Sequence, residues 1–364
     1  MSTRLKVALL YGGPSGEHEI SLRSAASVLA NLSRDKYQVI PIGIDKSGCC
    51  YHTPIEEIQT YTESLPIKIS TSEPLPGLNV NGHFVIDTDV VLPIVHGPLL
   101  EDGALQGILE FTKVAFVGSS VLSSAMCMDK DITRKLVSLL DVRFAKYLTL
   151  AASASIQEKH SFYENIFQHF QFPLFVKPCR MGSSVGISKV KTKEELEHAI
   201  VEAFRYDTDI IVEEGINGRE IELAVLENSE PHLPPLVSVP GELIVNHPDG
   251  FYSYNAKYIE SDKTALVIPA DLPKDMVARL QEISAKVFTQ LKCNGMARVD
   301  FFVNVSTNSI YFNEINTLPG FTSISMYPRL WNASGVEYSL LLDRLIQLAL
   351  ANHNLKQQLL RDYQ

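Results

Sequence analysis

Several features that would assign a function quickly are missing from this sequence. No apolar stretch approaches the roughly 20 residues a membrane-spanning helix needs. The start, MSTRLKVALLYGG, closes its short apolar run with loop-opening glycines and not with a small-residue cleavage site, so it is not read as a signal peptide. Basic residues are not in excess: 32 Lys and Arg against 42 Asp and Glu leave a formal charge of −10. That argues against a general nucleic-acid binder, which must neutralise phosphates with basic surface, although a local lysine cluster can still hold a small anion. The five cysteines (Cys49, Cys50, Cys127, Cys179 and Cys293) are odd in number and show neither CxxC pairs nor zinc spacing. They are expected to be reduced thiols in a cytoplasmic protein. There is no Walker A motif, no GxGxxG in the first glycine loop and no internal repeat.

What is present is a chain of 364 residues, 45% hydrophobic and 20% charged, enough for two or three well-packed domains. The first third alternates strands with helices. Strands are expected at Lys6–Tyr11, Tyr37–Ile44, Asp89–Val95 and Val114–Val117, and helices at Ser21–Leu32 and Gly103–Phe111. This alternation implies a parallel sheet with helices on both faces, and the nearly all-apolar Asp89–Val95 suits a strand covered on both sides. Residues 51–83 read as irregular. A second unit begins near Ser119, with helices at Lys130–Leu140, Ser161–Phe170 and Lys193–Arg205 and strands at Pro173–Lys177 and Ile210–Glu213. A third carries strands at Glu220–Glu227, Ala297–Asn304 and Ser309–Asn316 and helices at Lys274–Leu291 and Glu337–Leu350. The segment 241–264, rich in Gly, Tyr, Asn, Asp and Lys, reads as a long functional loop.

Four constellations carry candidate chemistry. In the last pair of strands, Glu314 and Asn316 project to one face, and the turn Val305–Ser309 makes the Asp300 strand an antiparallel neighbour. Two carboxylates and an amide oxygen on one face suit a hard cation such as Mg²⁺; a solvated sheet face with scattered acids is the competing reading. Lys177 ends a buried strand and is followed by Gly182-Ser183-Ser184-Val185-Gly186, whose backbone N–H groups and hydroxyls suit phosphate oxygens, though an ordinary strand-to-loop turn would look similar. The loop from Gly12 to Ser21 follows the first strand, at the sheet edge where open α/β sheets bind ligands. There Glu17 could hold an ammonium, while Glu19 could simply favour the helix dipole. His96, in HGPLLEDG, follows another apolar strand and is suited to binding a carboxylate or carrying a proton, or to a structural role. Lys130 and Lys257 are unremarkable singly.

The segments LLYGGPSGEHEISL, HGPLLEDGALQGILE, FVGSS, MDK, VKPCRMGSSVGISKV, FYSYNAKY, GMARVDFF and NEINTLPGFTSISMYP occur in the order and spacing of one family. Together the chain resembles the D-alanine–D-alanine ligases of the ATP-grasp superfamily; residues 51–85 and the extreme C-terminus lack a clear counterpart. The resemblance implies an ATP-grasp fold of three α/β domains: a Rossmann-like N-terminal domain (1–121), a central domain (122–216) and a C-terminal domain with metal site and lid (217–364). It implies ATP contacts from Lys130, Lys177, Ser183 and Ser184, with Lys257 also at the nucleotide, adenine and ribose contacts from Glu213 and Glu220, and two Mg²⁺ ions (Mn²⁺ could substitute) on Asp300, Glu314 and Asn316. Glu17 would anchor the ammonium of the first D-alanine in a triad with Ser183 and Tyr258, and His96 would help hold it. Arg298 and the Gly320 N–H would stabilise an oxyanion, and Ser325 and Lys257 would receive the second substrate's carboxylate. Two D-alanine molecules, a homodimer and a cytoplasmic location are the implied partners and place. Tyr258 goes, within the family, with dipeptide formation and not with D-lactate as acceptor. Two alternatives remain: another second substrate (D-lactate or D-serine), or a non-catalytic ATP-binding regulator. One departure stands out, in that the family usually has glycine, or a polar or aromatic residue, where Leu99 and Leu100 stand.

Overall fold

The computed structural model describes residues 4–67, 73–245 and 264–360. The N-terminal part runs β1 (Leu5–Gly12), α1 (His18–Asn31), β2 (Tyr37–Ile44), β3 (Cys50–His52), α2 (Ile55–Ile58), β4 (Asn79–Val80), β5 (His83–Phe84), β6 (Val90–Val95), α3 (Ala104–Phe111) and β7 (Ala115–Phe116). Its five-stranded sheet has the order β3-β2-β1-β6-β7, parallel throughout except for the antiparallel edge β3. All of β6 is buried, as a strand with cover on both faces must be. The parallel pairing puts the C-terminal ends of β1 and β6 side by side, Gly12 opposite Val95, so the two loops that follow, carrying Glu17 and His96, open onto the same edge. The stretch read as irregular holds α2 and the small β4–β5 hairpin and is tied back through Leu65 N–H to Leu22 O (3.1 Å) and Leu75 N–H to Cys50 O (2.7 Å).

The middle part comprises α4 (Val121–Met128), α5 (Lys130–Val137), β8 (Arg143–Phe144), β9 (Tyr147–Ala151), α6 (Ile156–His169), β10 (Leu174–Pro178), β11 (Ser188–Val190), α7 (Lys193–Ala203) and β12 (Asp209–Glu214). Its four-stranded sheet, β11-β10-β12-β9, is antiparallel. Helix starts are capped as the sequence allows: Asp129 accepts from the Asp131 and Ile132 N–H groups at the head of α5, and Ser155 with Glu158 forms a capping box on α6. Helix α4 and strand β9 are not foreseen in the sequence; VLSSAMCM lacks the polar face that marks an amphipathic helix.

The C-terminal part comprises β13 (Arg219–Leu226), β14 (Leu236–Val237), β15 (Gly241–Val245), β16 (Thr264–Val267), α8 (Lys274–Gln290), β17 (Met296–Asn304), β18 (Ser309–Asn316), α9 (Met326–Ala333) and α10 (Tyr338–Gln357). Its sheet runs β16-β15-β13-β17-β18-β8, with β14 beside β13, so β8 crosses over to its edge from the middle part. The segment expected to be irregular from 241 begins and ends in strand: β15 and β16 pair with each other, while residues 246–263, with Lys257 and Tyr258, lie outside the described residues. Helix α10 turns back to the N-terminal sheet. Leu341, Leu342, Leu345 and Ile346 share one core with β1, β2 and β6, and Asp343 accepts from Tyr37 Oη (2.5 Å) and Lys36 Nζ (3.1 Å). The first and last segments therefore bury one another, and the edge of the N-terminal sheet is held against the C-terminal part. All five cysteines are free thiols; Cys127 and Cys293 face each other with sulfurs 3.6 Å apart. No described helix is long and apolar enough to cross a membrane.

Candidate active site

A cavity of about 440 Å³ lies where the three sheets meet. From the N-terminal part it is lined by Glu17, His96 and Glu101; from the middle by Lys130, Gly182 and Ser183; from the C-terminal part by Arg298, Glu314, Asn316, Gly320 and Ser325. Lys177, Ser184, Glu213, Glu220 and Asp300 do not line it. Lys257 and Tyr258 are outside the described residues.

Glu17 is the residue before α1, but its side chain makes no cap bond to the helix. It instead accepts a hydrogen bond from the Ser183 hydroxyl of the glycine-serine loop. The loop is fixed below it: Ser21 Oγ accepts from Gly12 N–H (2.7 Å) and donates to Ile94 O, tying β1 to β6. Glu19, the other candidate acid, points outward to Lys46 at 3.2 Å, an exposed pair of little energetic consequence. Ser183 and Ser184 have φ of +50° and +58°, a region non-glycine residues seldom occupy, and such strain collects at ligand-handling loops.

His96 is buried, and its Nδ1–H donates to Leu318 O (3.0 Å). This fixes the tautomer with Nε2 as acceptor; Nε2 is buried and has no partner among the described residues. Burial holds its pKa below the usual value, outweighing the nearby Glu17 charge, so the ring is neutral. In the loop that follows, Leu99 takes φ +70° and is exposed, while Leu100 is buried against Gly13. The departure from the family pattern thus has a physical shape: Leu99 occupies a left-handed position that suits glycine, and Leu100 fills the space a side chain at 13 would need.

Lys130 opens α5. Its Nζ donates to Met181 O (2.7 Å), at the mouth of the glycine-serine loop, and burial lowers its pKa. Lys177, on β10, is ion-paired with Glu213 on β12, and Arg134 on α5 closes on the same carboxylate. Burial alone would raise the Glu213 pKa, but the Arg134 and Lys177 charges outweigh it and hold it down at about 2. The Arg134 guanidinium also lies 5.0 Å from the centre of the Tyr147 ring.

The third wall is a grid on three strands. Glu222 on β13, Asp300 on β17 and Glu314 on β18 are directly opposite one another; the next row is Ala224, Arg298 and Asn316. Acids directly opposite across a sheet repel. Arg298 answers this by gripping Asp300 with two bonds (2.8 and 2.7 Å) and lying 3.0 Å from Glu222. Its pKa is raised well above the ordinary value, the carboxylates overcoming the opposing effect of burial. The register shifts after Asp300, a bulge beside the site. Asn316 Oδ1 accepts from Leu318 N–H (2.8 Å). Gly320 packs so close to Ser325 that a Cβ there would lie 3.0 Å from its Oγ.

Among the described residues no three His, Cys, Asp or Glu side chains form a ready-made metal cluster. Asp300, Glu314 and Asn316 nevertheless offer a hard-oxygen donor set on adjacent strands, and carboxylate oxygens already bonded to Arg298 keep lone pairs to spare. The donor chemistry of these residues fits a hard divalent cation. Sequence reasoning overlooked Arg134, Glu222 and Glu101. The first reads as a surface helix charge, the second follows Glu220 at strand spacing and was visible as its same-face neighbour, and the third reads as a turn acid.

Known proteins resemble this chain along its length. The family model described as D-ala D-ala ligase N-terminus matches residues 6–119, and that described as D-ala D-ala ligase C-terminus matches residues 136–347. The D-alanine–D-alanine ligase of Legionella pneumophila (strain Corby) is 54% identical over 363 residues, covering 100% of both chains. Among solved structures, the VanG D-Ala:D-Ser ligase from Enterococcus faecalis aligns with a TM-score of 0.82 at 38% identity, over 95% of this chain and 100% of that one. The D-alanine–D-alanine ligase from Bacillus anthracis complexed with ATP aligns at 0.72 and 27% identity, over 98% and 100%.

Proposed function

The chain belongs to the D-alanine–D-alanine ligase family, and from that premise we propose how its cavity works. The enzyme joins two D-alanines into the dipeptide used in peptidoglycan synthesis, with ATP as the energy source, on an ATP-grasp fold. The observation that carries the mechanistic reading is the convergence of Glu17 with Ser183, Lys130, and Arg298 with Gly320 and Ser325 around one cavity.

In this reading the first D-alanine sits at the N-terminal wall, its ammonium on Glu17 and its body against His96. Its carboxylate oxygen attacks the γ-phosphorus of ATP, ADP leaves, and an acyl phosphate forms. Lys130 and Lys177 face the phosphates, the Gly182–Gly186 loop covers them, and Glu213 and Glu220 lie toward adenine and ribose. Bound Mg²⁺, two ions on Asp300, Glu314 and Asn316, would neutralise charge on the phosphates. The second D-alanine, its carboxylate received by Ser325 and Lys257, attacks the acyl phosphate through its amine, and phosphate leaves. Charge building on the carbonyl oxygen is met by the Gly320 N–H and by Arg298, whose guanidinium has five N–H groups and so keeps donors free of Asp300 and Glu222. The carboxylates fix the guanidinium in advance, so little reorganisation is needed when the charge appears. On the family resemblance alone, Tyr258, which lies outside the described residues, would complete the Glu17–Ser183 triad. A cytoplasmic location and a homodimer belong to the same proposal; light scattering on the purified protein checks the second.

The resemblance to a D-Ala:D-Ser ligase gives a second reading, with D-serine as acceptor. Incubation with ATP, Mg²⁺ and equal D-alanine, D-serine and D-lactate, followed by mass analysis, separates the two. D-alanyl-D-alanine as the main product supports the dipeptide reading. A predominant D-alanyl-D-serine product would replace it, and ATP turnover indifferent to all three would indicate a regulator.

A further inference from the structure

At the N-terminal wall two buried polar atoms lack a partner among the described residues: His96 Nε2 and Glu101 Oε2. The mechanism above uses His96 but gives Glu101 nothing to do. Glu101 is 7% exposed and lines the cavity. A Cβ placed on Gly182 would lie 3.1 Å from Glu101 Oε1 and 3.4 Å from Glu17 Oε2. The two carboxylates therefore flank one point beside the glycine-serine loop. Burial, then the Glu17 charge, push the Glu101 carboxyl well up. The Gly97 N–H and the Lys130 charge act the other way but are outweighed; Glu101 Oε2 itself is left without a hydrogen-bond partner, and a buried acid in that position is costly until one arrives.

We propose that Glu101 is a second acceptor for the ammonium of the first amino acid, sharing it with Glu17; this rests on reading the cavity as the dipeptide-forming site. An ammonium has three N–H donors, and the wall presents three kinds of acceptor: Glu17, Glu101 and the neutral His96 Nε2. Such a wall selects a protonated amine over an uncharged molecule of the same shape, because without the cation the acceptors stay buried and unmet.

The test compares wild type, Glu101→Gln and Glu101→Asp in two measurements: steady-state KM for each D-alanine site and for ATP, and the affinity for D-alanine against propionate, which keeps the carboxylate and methyl but lacks the ammonium. Glu101→Gln should raise the first-site KM roughly tenfold or more, as loss of a charged hydrogen bond does, leave the ATP and second-site KM unchanged, and shrink the preference for D-alanine over propionate. Glu101→Asp should recover part of both. Unchanged first-site KM, or equal weakening of D-alanine and propionate, would overturn the proposal and leave Glu101 a loop-stiffening residue. Absence of D-alanine-dependent turnover in the wild type would instead overturn the reading of the cavity, and the role of Glu101 with it.

Discussion

Two buried polar clusters in this molecule are finished to different degrees. Around Glu213, Arg134 and Lys177 supply opposite charge from within the chain, and the carboxylate is locked in its ionised form. Around Glu101 and His96, the Lys130 charge is outweighed by burial and by Glu17, and Glu101 Oε2 and His96 Nε2 have no hydrogen-bond partner among the described residues. The difference teaches where a ligand is expected to contribute. The Glu213 cluster joins α5 to the antiparallel middle sheet and meets its carboxylate charge within the chain, although Arg134 Nε and Nη1 are buried without a hydrogen-bond partner; at the N-terminal wall the atoms left over are acceptors, which a cation would satisfy. The Arg298 grid stands between them: its charges are paired, but guanidinium donors are left to face the cavity.

The sharpest way to break this comparison is Glu213→Ala. It strands Arg134 and Lys177 in the interior, and stability in urea should fall by roughly 3–5 kcal/mol; a loss below about 1 kcal/mol would mean the cluster is not closed. Arg298→Ala should lower kcat by ~10²-fold or more, the usual cost of losing an oxyanion donor, and near-wild-type turnover would remove that role. The same Glu213 cluster predicts a pH dependence. Its folded pKa of about 2 lies below the ordinary 4.5, so its contribution is fully present above 4.5 and is lost as pH falls through 2. The loss is on the order of 3 kcal/mol, and Glu213→Gln should flatten that part of the acid-unfolding curve; an unchanged curve would reassign the acid sensitivity. Leu99→Gly relieves a left-handed backbone and should stabilise by about 0.5–1 kcal/mol, read from the urea midpoint, with no gain if the Leu99 conformation is unstrained. Tyr258→Phe should have the smallest effect, a looser choice of acceptor in the three-way competition; an unaltered product ratio would argue against its place in the triad.

Much of this was legible in the sequence where a strong pattern had sharp borders. Tyr37–Ile44 and Ser309–Asn316 are strands to the residue, because apolar or alternating runs end abruptly at polar turns. The facing of Asp300 and Glu314 followed from strand periodicity and a short turn, and it appears as a direct cross-strand pair. Short helices were less legible: α4 and α9 are formed by tertiary contact and not by a two-turn pattern. Strands β15 and β16 were hidden because each is short and borders a polar segment; β15 alternates buried Gly241 and Leu243 with half-buried residues, and β16 alternates half-buried with exposed ones. Arg134 and Glu101 were invisible for a deeper reason. Charged residues are ordinarily solvated, and only the packing of α5 on β12, or of the His96 loop against Gly182, shows that these two are buried.

The most direct measurement is phosphate release from ATP and Mg²⁺ with D-alanine, with L-alanine or with no amino acid, alongside mass analysis of the product. Release is expected with D-alanine alone, one phosphate for each D-alanyl-D-alanine formed. Release that ignores D-alanine, or that proceeds without dipeptide, would contradict it.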